Sequence, residues 1–383
     1  MPDPLSVIQV DASFYTGPYD AGLTEGLRAN GVQVSWATRR PRPEETMDLP
    51  RQSLEHVFGG LAGGAKGRGP AAKLRSGWGY LAGWMRLLSM VERLEPDVLH
   101  IQWPLLPLAD AAAIRRAQAV APVVVTVHDL LPYNGAPTSR LQIMGLGSAL
   151  RAADHLIVHT SAARETLLAR GFGAERVSTI PHGPLRLNAP ARPKTRTDAR
   201  WTFVFFGKLQ PYKGVEVLLE AAGLMDPAAR ARSRFIVAGE PLMSTAPLLA
   251  RAAELGLSDS FEFRLHRQSD EEMAALFQDA DAFVFPYLQI EASGVFALLR
   301  SFGKWVVASD LGAFREALAD GAHGALVPPR DPTALSHALT DAVGRAPAPG
   351  RAPAWPSWVE IGQRTRGVYE TVMGEHAANG HRA

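Results

Sequence analysis

The chain has 383 residues, with 40 basic against 38 acidic side chains and a formal net charge of +2. That length exceeds one ordinary α/β core and suits two domains, while the balanced charge excludes any global argument for nucleic acid as a partner. Cysteine is absent from the sequence, which excludes disulfides, thiolate metal sites and a cysteine nucleophile, and fits a reducing compartment.

The opening MPDPLSVIQV carries no basic segment ahead of an apolar one, so no signal peptide is expected. No window reaches the ~18 apolar residues that cross a bilayer. Leu5 to Val10 reads as a strand, followed by a loop, a helix of about three turns ending near Asn30-Gly31, and a strand from Val32 to Ala37. Gly17 falls in the loop after the first strand, where backbone can approach a ligand closely. The dinucleotide fingerprint G-x-G-x-x-G is missing there, and the glycine cluster at 59–69 follows no strand and reads as a flexible loop.

From His56 to Val91 there is no acidic residue, while Lys66, Arg68, Lys73, Arg75 and Arg86 are interleaved with Trp78, Tyr80, Trp84 and Met85. The second half of this segment is patterned as a basic amphipathic helix. Two readings stand: residues 66–86 dock on an anionic membrane surface, or the helix packs its aromatics into the core with solvated arginines behind. PDVLHIQW at 96–103 and PVVVTVHDLLPYN at 122–134 are expected as strands buried on both faces, the second ending at His128-Asp129. Further alternation through HLIVHT at 155–160 and VSTIPHGP at 177–184 gives a doubly wound sheet of roughly six or seven strands. His100 and His182 are read as structural or acceptor-side, and Asp129 as a residue orienting His128 or a helix.

Residues 187–200, proline-rich and basic, mark a linker. The β–α alternation then restarts with WTFVFFG, VEVLLEAAGLM, SRFIVAGE and FEFRLH, and Ser269 with Glu272 forms a capping box. Lys208 and Lys213 lie on the loop after the first of these strands, where two cations beside a helix start can hold a diphosphate without a metal. The stretch from Val284 to Glu316 reads as strand, loop with Glu291, helix with Ser293 as N-cap, and strand Trp305 to Ser309. The amides of Ser293, Gly294 and Val295 would then be free to meet an anion. The predicted domains are 1–187 and 188–356, with 357–383 a last helix that can pack away from its own domain.

Gly207-Lys208-Leu209 with Lys213-Gly214, the Glu291 to Gly294 loop, GKWVVASDLGAFRE and GALVPPRDPTAL resemble the nucleotide-sugar domain of the family 4 retaining glycosyltransferases. PDVLHIQW, VTVHDLLP and HLIVHT are similar to the matching acceptor-side domain. The resemblance implies the GT-B fold, an α/β architecture of two Rossmann-like doubly wound domains facing across a cleft. It implies transfer of a hexose from a nucleotide diphosphate sugar, GDP-mannose or UDP-hexose, to a glycan or lipid-linked saccharide hydroxyl, with retained configuration, no metal and no further cofactor. It assigns Lys208 and Lys213 to the donor diphosphate together with Gly17, Ser293, Gly294 and Val295. Glu291, Ala292 and His128 fall to the donor sugar, with His128 beside its reacting carbon; His128, Glu291 and Lys213 are the expected catalytic set. Bacterial relatives of this kind build exopolysaccharide or lipopolysaccharide in the cytoplasm, peripheral to the inner face of the membrane, a place that segment 66–86 suits.

Two departures from the family pattern stand out. Its second motif glutamate, which binds the nucleotide ribose, falls on Leu299, and Val295, Leu298, Leu299 and Phe302 are spaced as one apolar helix face. Its usual phenylalanine before the motif glycine is Ser293 here. Three other readings compete: a GT-B epimerase or hydrolase, a nucleotide-sugar sensor, and a dinucleotide oxidoreductase, the last disfavoured by the missing fingerprint.

Overall fold

The computed structural model describes residues 4–41, 49–50, 53–59, 70–130, 145–185, 187, 199–290, 294–299, 302–345, 347 and 355–380. The chain divides into two compact units, one holding the sequence up to Gly183 and again from Pro356, the other Pro184–Trp355.

In the first unit, strands β1 (Ser6–Asp11), β2 (Gln33–Arg39), β3 (Leu54–Phe58), β4 (Val98–Ile101), β5 (Val123–Val127), β6 (His155–Val158) and β7 (Val177–Thr179) form one sheet in the order β3-β2-β1-β4-β5-β6-β7. All pairings are parallel, with Val7 opposite both Val34 and Val98, and Val124 opposite His155. Val123–Val127 is buried at every position, as a strand covered on both faces requires. Helices α1 (Gly17–Ala29), α2 (Pro70–Leu94), α3 (Pro107–Ala117), α4 (Leu146–Ala152) and α5 (Ser161–Ala169) follow their strands. Gly17 is thus the first residue of α1 and not a loop residue. Pro18, which suits a first helical turn, starts the helix there, and a Cβ on Gly17 would come within 2.9 Å of the Phe14 ring. Strand β3 was not expected, because Glu55 and His56 are exposed at the sheet edge and break the apolar pattern.

In the second unit, β8 (Trp201–Phe206), β9 (Ser233–Ala238), β10 (Phe261–Arg264), β11 (Ala282–Phe285), β12 (Trp305–Ser309) and β13 (Gly324–Val327) pair in parallel in the order β10-β9-β8-β11-β12-β13. This is the doubly wound order, whose switch point lies between β8 and β11. Its helices are α6 (Val215–Leu224), α7 (Pro227–Ala231), α8 (Ala246–Glu254), α9 (Asp270–Asp279), α10 (Gly294–Leu299), α11 (Gly312–Leu318) and α12 (Pro332–Arg345). Ser269 and Glu272 close the capping box of α9 as their spacing demands. Phe203, Phe205, Phe235, Phe283, Phe285 and Phe314 fill the core between the layers. Leu299 belongs to it, 2 % exposed, in keeping with the apolar face read from its spacing.

The last helix, α13 (Trp358–Gly380), lies against α1 of the first unit. Gly26 and Gly362 make the close approach: a Cβ on Gly26 would fall 1.9 Å from the Trp358 carbonyl oxygen, and one on Gly362 would fall 2.2 Å from Gly26 backbone.

Candidate active site

The carboxyl ends of β8 and β11 carry the first cluster. Gly214 has φ +66, and a Cβ there would meet the Pro286 carbonyl oxygen at 2.0 Å, so glycine alone lets the Pro211–Lys213 turn lie on the end of β11. The Leu288 amide donates to the Tyr212 carbonyl at 2.7 Å and fixes that contact. As a result Lys213 is only 6 % exposed, and its Nζ donates to Tyr287 Oη at 2.7 Å while standing 4.5 Å from that ring's centroid. Burial holds the Lys213 ammonium below its ordinary range. Among the described residues no carboxylate pairs with it.

Gly207 brings this ammonium to the start of α10. A Cβ on Gly207 would stand 3.1 Å from Lys213 Nζ and 3.3 Å from Val295 Cγ2. Val295 and Gly294 thus sit on the Lys213 side of the switch point, whereas Glu291, Ala292 and Ser293 lie outside the described residues. Lys208 is exposed, and among the described residues its side chain has no partner. The two lysines are therefore unlike: one is a buried, fixed cation and the other a free surface one. Tyr287, which fixes Lys213, lies 74 residues further on and carries no local sequence signal beyond following a strand end.

The carboxyl ends of β1, β4, β5 and β6 carry the second cluster, in the first unit. The residue just after each of three strands is polar: Gln102 after β4, His128 after β5 and His159 after β6. His128 is stacked on Trp103 with ring centroids 4.8 Å apart and meets the Tyr19 ring edge-on at the same distance. Its Nε2 lies 3.0 Å from Gln102 Oε1 and its Nδ1 lies 3.1 Å from His159 Nε2. Both ring nitrogens are thus engaged, by Gln102 and by His159. His100 is buried between Tyr369 Oη and Thr126 Oγ1, each at 2.7 Å, and is structural. Burial, reinforced by neighbouring imidazoles, pulls His100 and His159 down to about 3 and holds His128 well below the usual histidine range. Burial alone draws His182 down to about 4. Sequence reading missed Gln102 and His159, although a polar residue closing each successive apolar strand was a usable signal.

Beside this cluster the β1–α1 loop is wound around one carboxylate. Asp11 accepts from the amides of Ser13, Tyr15 and Thr16 at 3.1, 2.7 and 3.2 Å. Asp20 is fully buried next to it and is held well above the carboxylate range, first by burial and then by the Asp11 charge. Its Oδ1 accepts from Thr16 Oγ1 at 3.2 Å, while its buried Oδ2 has no hydrogen-bond partner among the described residues.

Two parallel sheets, the second in doubly wound order and each with polar groups gathered at strand carboxyl ends, define a two-unit α/β protein of the GT-B class. Residues 21–183 match the family described as Glycosyltransferase Family 4, and residues 200–344 match Glycosyl transferases group 1. The chain belongs to the GT-B glycosyltransferases. It is 29% identical over 359 residues to a D-inositol 3-phosphate glycosyltransferase of Streptosporangium roseum, covering 85% of this chain and 78% of that one. Among solved structures, the lipopolysaccharide outer core galactosyltransferase WaaB superposes with a TM-score of 0.70 at 13% identity over 96% of this chain and 99% of its own. Anabaena Alr3699/HepE in complex with UDP and glucose gives 0.61 at 17% over 99% and 100%.

Proposed function

We propose that this enzyme transfers a hexose from a nucleotide diphosphate sugar to a hydroxyl of a lipid-linked saccharide, with retained anomeric configuration and without a metal. The observation that carries the reading is Lys213, a buried ammonium with no carboxylate partner among the described residues, set at the switch point of the second sheet. A charge so placed is unfavourable until an anion meets it. Donor diphosphate supplies that anion, and as the sugar–phosphate bond breaks Lys213 takes up the charge left on the phosphate. Lys208, exposed and on the same loop, adds a second cation on the solvent side. The amides of Ser293 to Val295 and the carboxylate of Glu291 complete the donor site in this reading, with Glu291 and Ala292 at the sugar and Gly17 at the diphosphate. His128, uncharged, stands beside the reacting carbon.

The lipid part of the reading rests on α2. Tyr80, Trp84, Leu87 and Met90 are buried on one face. On the other, Leu74, Trp78, Leu81 and Met85, spaced four, three and four residues apart, are 65%, 67%, 39% and 68% exposed. The flanking exposed charges are basic, Arg75 and Arg86, in a stretch with no acidic residue from His56 to Val91. An apolar stripe edged by arginines fits an anionic lipid surface. Arg86 also donates to the Val57 carbonyl at 2.9 Å, so Arg75 is the freer of the two. Lys66 and Arg68, and the side chain of Lys73, lie outside the described residues.

A second acceptor is favoured by the relatives named for inositol phosphate: a soluble phosphorylated cyclitol, which needs no bilayer. The deciding experiment offers UDP- and GDP-hexoses with a lipid-diphosphate saccharide in anionic vesicles or with inositol 3-phosphate, follows nucleotide release, and assigns the product anomer by NMR, with and without chelator. Release dependent on the lipid acceptor, an anomer matching the donor and indifference to chelator are expected. Release without any acceptor would turn the reading to a hydrolase or epimerase, and binding without release to a sensor.

A further inference from the structure

The hydrogen bonds around His128 form one series through the first unit, with a longer cross-link of 3.5 Å between Gln102 Nε2 and His100 Nε2. The Ile180 carbonyl oxygen is 2.9 Å from His159 Nδ1, and His159 Nε2 is 3.1 Å from His128 Nδ1. His128 Nε2 is 3.0 Å from Gln102 Oε1, and the other end of that amide donates to Gln9 Oε1 at 2.8 Å. Gln9 Nε2 is 2.8 Å from Tyr369 Oη, which is 2.7 Å from His100 Nδ1, and His100 Nε2 is 2.7 Å from Thr126 Oγ1. The side chains of Gln9, His100, Gln102 and Tyr369 are 0 % exposed, and those of Thr126, His128 and His159 are buried as well.

Proton positions follow from one end. A carbonyl only accepts, so His159 carries its proton on Nδ1 and presents a lone pair at Nε2. His128 must therefore donate from Nδ1. Two settings then complete the series. With His128 charged, its Nε2–H donates to Gln102 Oε1 and the amides stand as they are. With His128 neutral, Nε2 is a lone pair and both amides turn over: Gln102 donates to His128, Gln9 to Gln102, Tyr369 to Gln9, His100 to Tyr369 and Thr126 to His100. The two ends of a glutamine amide are assigned from their partners, and each link of the series then pairs one donor with one acceptor. The titratable groups facing His128 are Tyr19 from α1, His100 from β4, His159 and His182, with Asp129 next in the chain. Burial and the three imidazoles favour the neutral setting.

We propose that Gln102, backed by Gln9 and by Tyr369 of the last helix, is a positioning residue that donates to His128 Nε2 and so orients the neutral ring whose proton His159 places on Nδ1. The inference rests on the reading that His128 stands beside the sugar's reacting carbon. There positive charge grows on the sugar ring, which an imidazolium would oppose and a neutral ring does not.

The test is the two-bond proton–nitrogen spectrum of the histidine rings in the uniformly labelled full chain at pH 7, with the His128 signal assigned by its loss in His128→Gln. A neutral ring protonated on Nδ1 is expected; an imidazolium or an Nε2–H tautomer overturns the proposal whatever the transfer activity. In Gln102→Glu, whose carboxylate only accepts, His128 becomes charged and kcat falls at least tenfold with the donor KM within twofold, recovering as pH rises and the ring loses its proton. Gln102→Met, which removes the partner without charging the ring, loses less. Equal losses in the two variants, or a neutral His128 in Gln102→Glu, also overturn it. The expected spectra without any sugar transfer would support the relay and remove the functional reading beneath it.

Discussion

Lys213 should be a residue that the fold tolerates for the sake of its ligand, and replacing it should stabilise the protein while disarming it. Taking an ammonium out of water costs several kcal/mol even after relaxation. The structure returns one hydrogen bond to Tyr287 Oη at 2.7 Å, about 1.5–3 kcal/mol for a charged donor, and the faces of Tyr287 and Tyr212 at 4.5 and 5.8 Å, about 0.5–2 kcal/mol. A deficit of ~1–3 kcal/mol remains. Lys213→Met alone deprives the Tyr287 hydroxyl of that bond, so the informative variant pairs it with Tyr287→Phe. That pair should be ~1–3 kcal/mol more stable, raising Tm by about 2–4 °C per kcal/mol. The sign has a pH signature. Because the folded pKa of Lys213 is lowered from 10.5, wild-type stability climbs as pH rises from that lowered value toward 10.5, and the variant should lack this climb. Thermal unfolding with and without UDP or GDP reads both effects: nucleotide affinity should fall ~10–100-fold with loss of a charge-assisted contact. A paired variant that melts below wild type, or binds nucleotide equally well, would refute the account of Lys213 as a charge awaiting an anion.

Asp110 anchors α2 by accepting from Tyr80 Oη at 2.6 Å, Trp84 Nε1 at 2.8 Å and the Leu106 amide at 2.8 Å; Asp110→Ala leaves these donors buried and should cost roughly 3–5 kcal/mol in urea unfolding. Burial lifts the Asp110 carboxyl to about 6. Its contribution is therefore fully present below its unfolded pKa and is lost as pH rises through about 6, so the stability margin of wild type over Asp110→Asn should shrink between pH 5 and pH 7.5, while the buried histidines, neutral in the fold, make both chains more stable toward neutral pH. Gly26→Ala drives a methyl onto the Trp358 carbonyl, and overpacking of about 1–3 kcal/mol should appear as early loss of α13 in hydrogen exchange. Trp78→Glu with Met85→Glu should leave unfolding within about 0.5 kcal/mol of wild type and abolish sedimentation with anionic vesicles; retained sedimentation would count against the lipid surface.

Much of the architecture is legible because it is local. VVVTV can be nothing but a doubly covered strand, and Ser269 with Glu272 announces the start of α9 from three residues' spacing. Gly17 was misplaced because a glycine a few residues after a strand reads as loop, whereas here it is the first residue of α1, with Pro18 in the first turn and the preceding turn held by the Asp11 carboxylate. The candidate site divides along the same line. His128 and Lys213 could be singled out by following apolar strands, but their environments are made by residues far away in sequence, Tyr287 and His159, which no periodicity connects to them. For α2 the two readings of the sequence each describe one face: Trp84 is core and Trp78 is not.

The return of α13 gives the chain an order of assembly. Gln9 is among the first residues made, and its partner Tyr369 is 360 positions later. On a ribosome the sheet of the first unit emerges early, yet the α1 surface at Gly22 and Gly26 waits uncovered while the whole second unit is translated and, as domains do, folds on its own. The first unit is therefore the last to be finished, and a chain cut short in the linker before Trp358 would present a complete second unit beside a first unit with its groove open to chaperones and proteases.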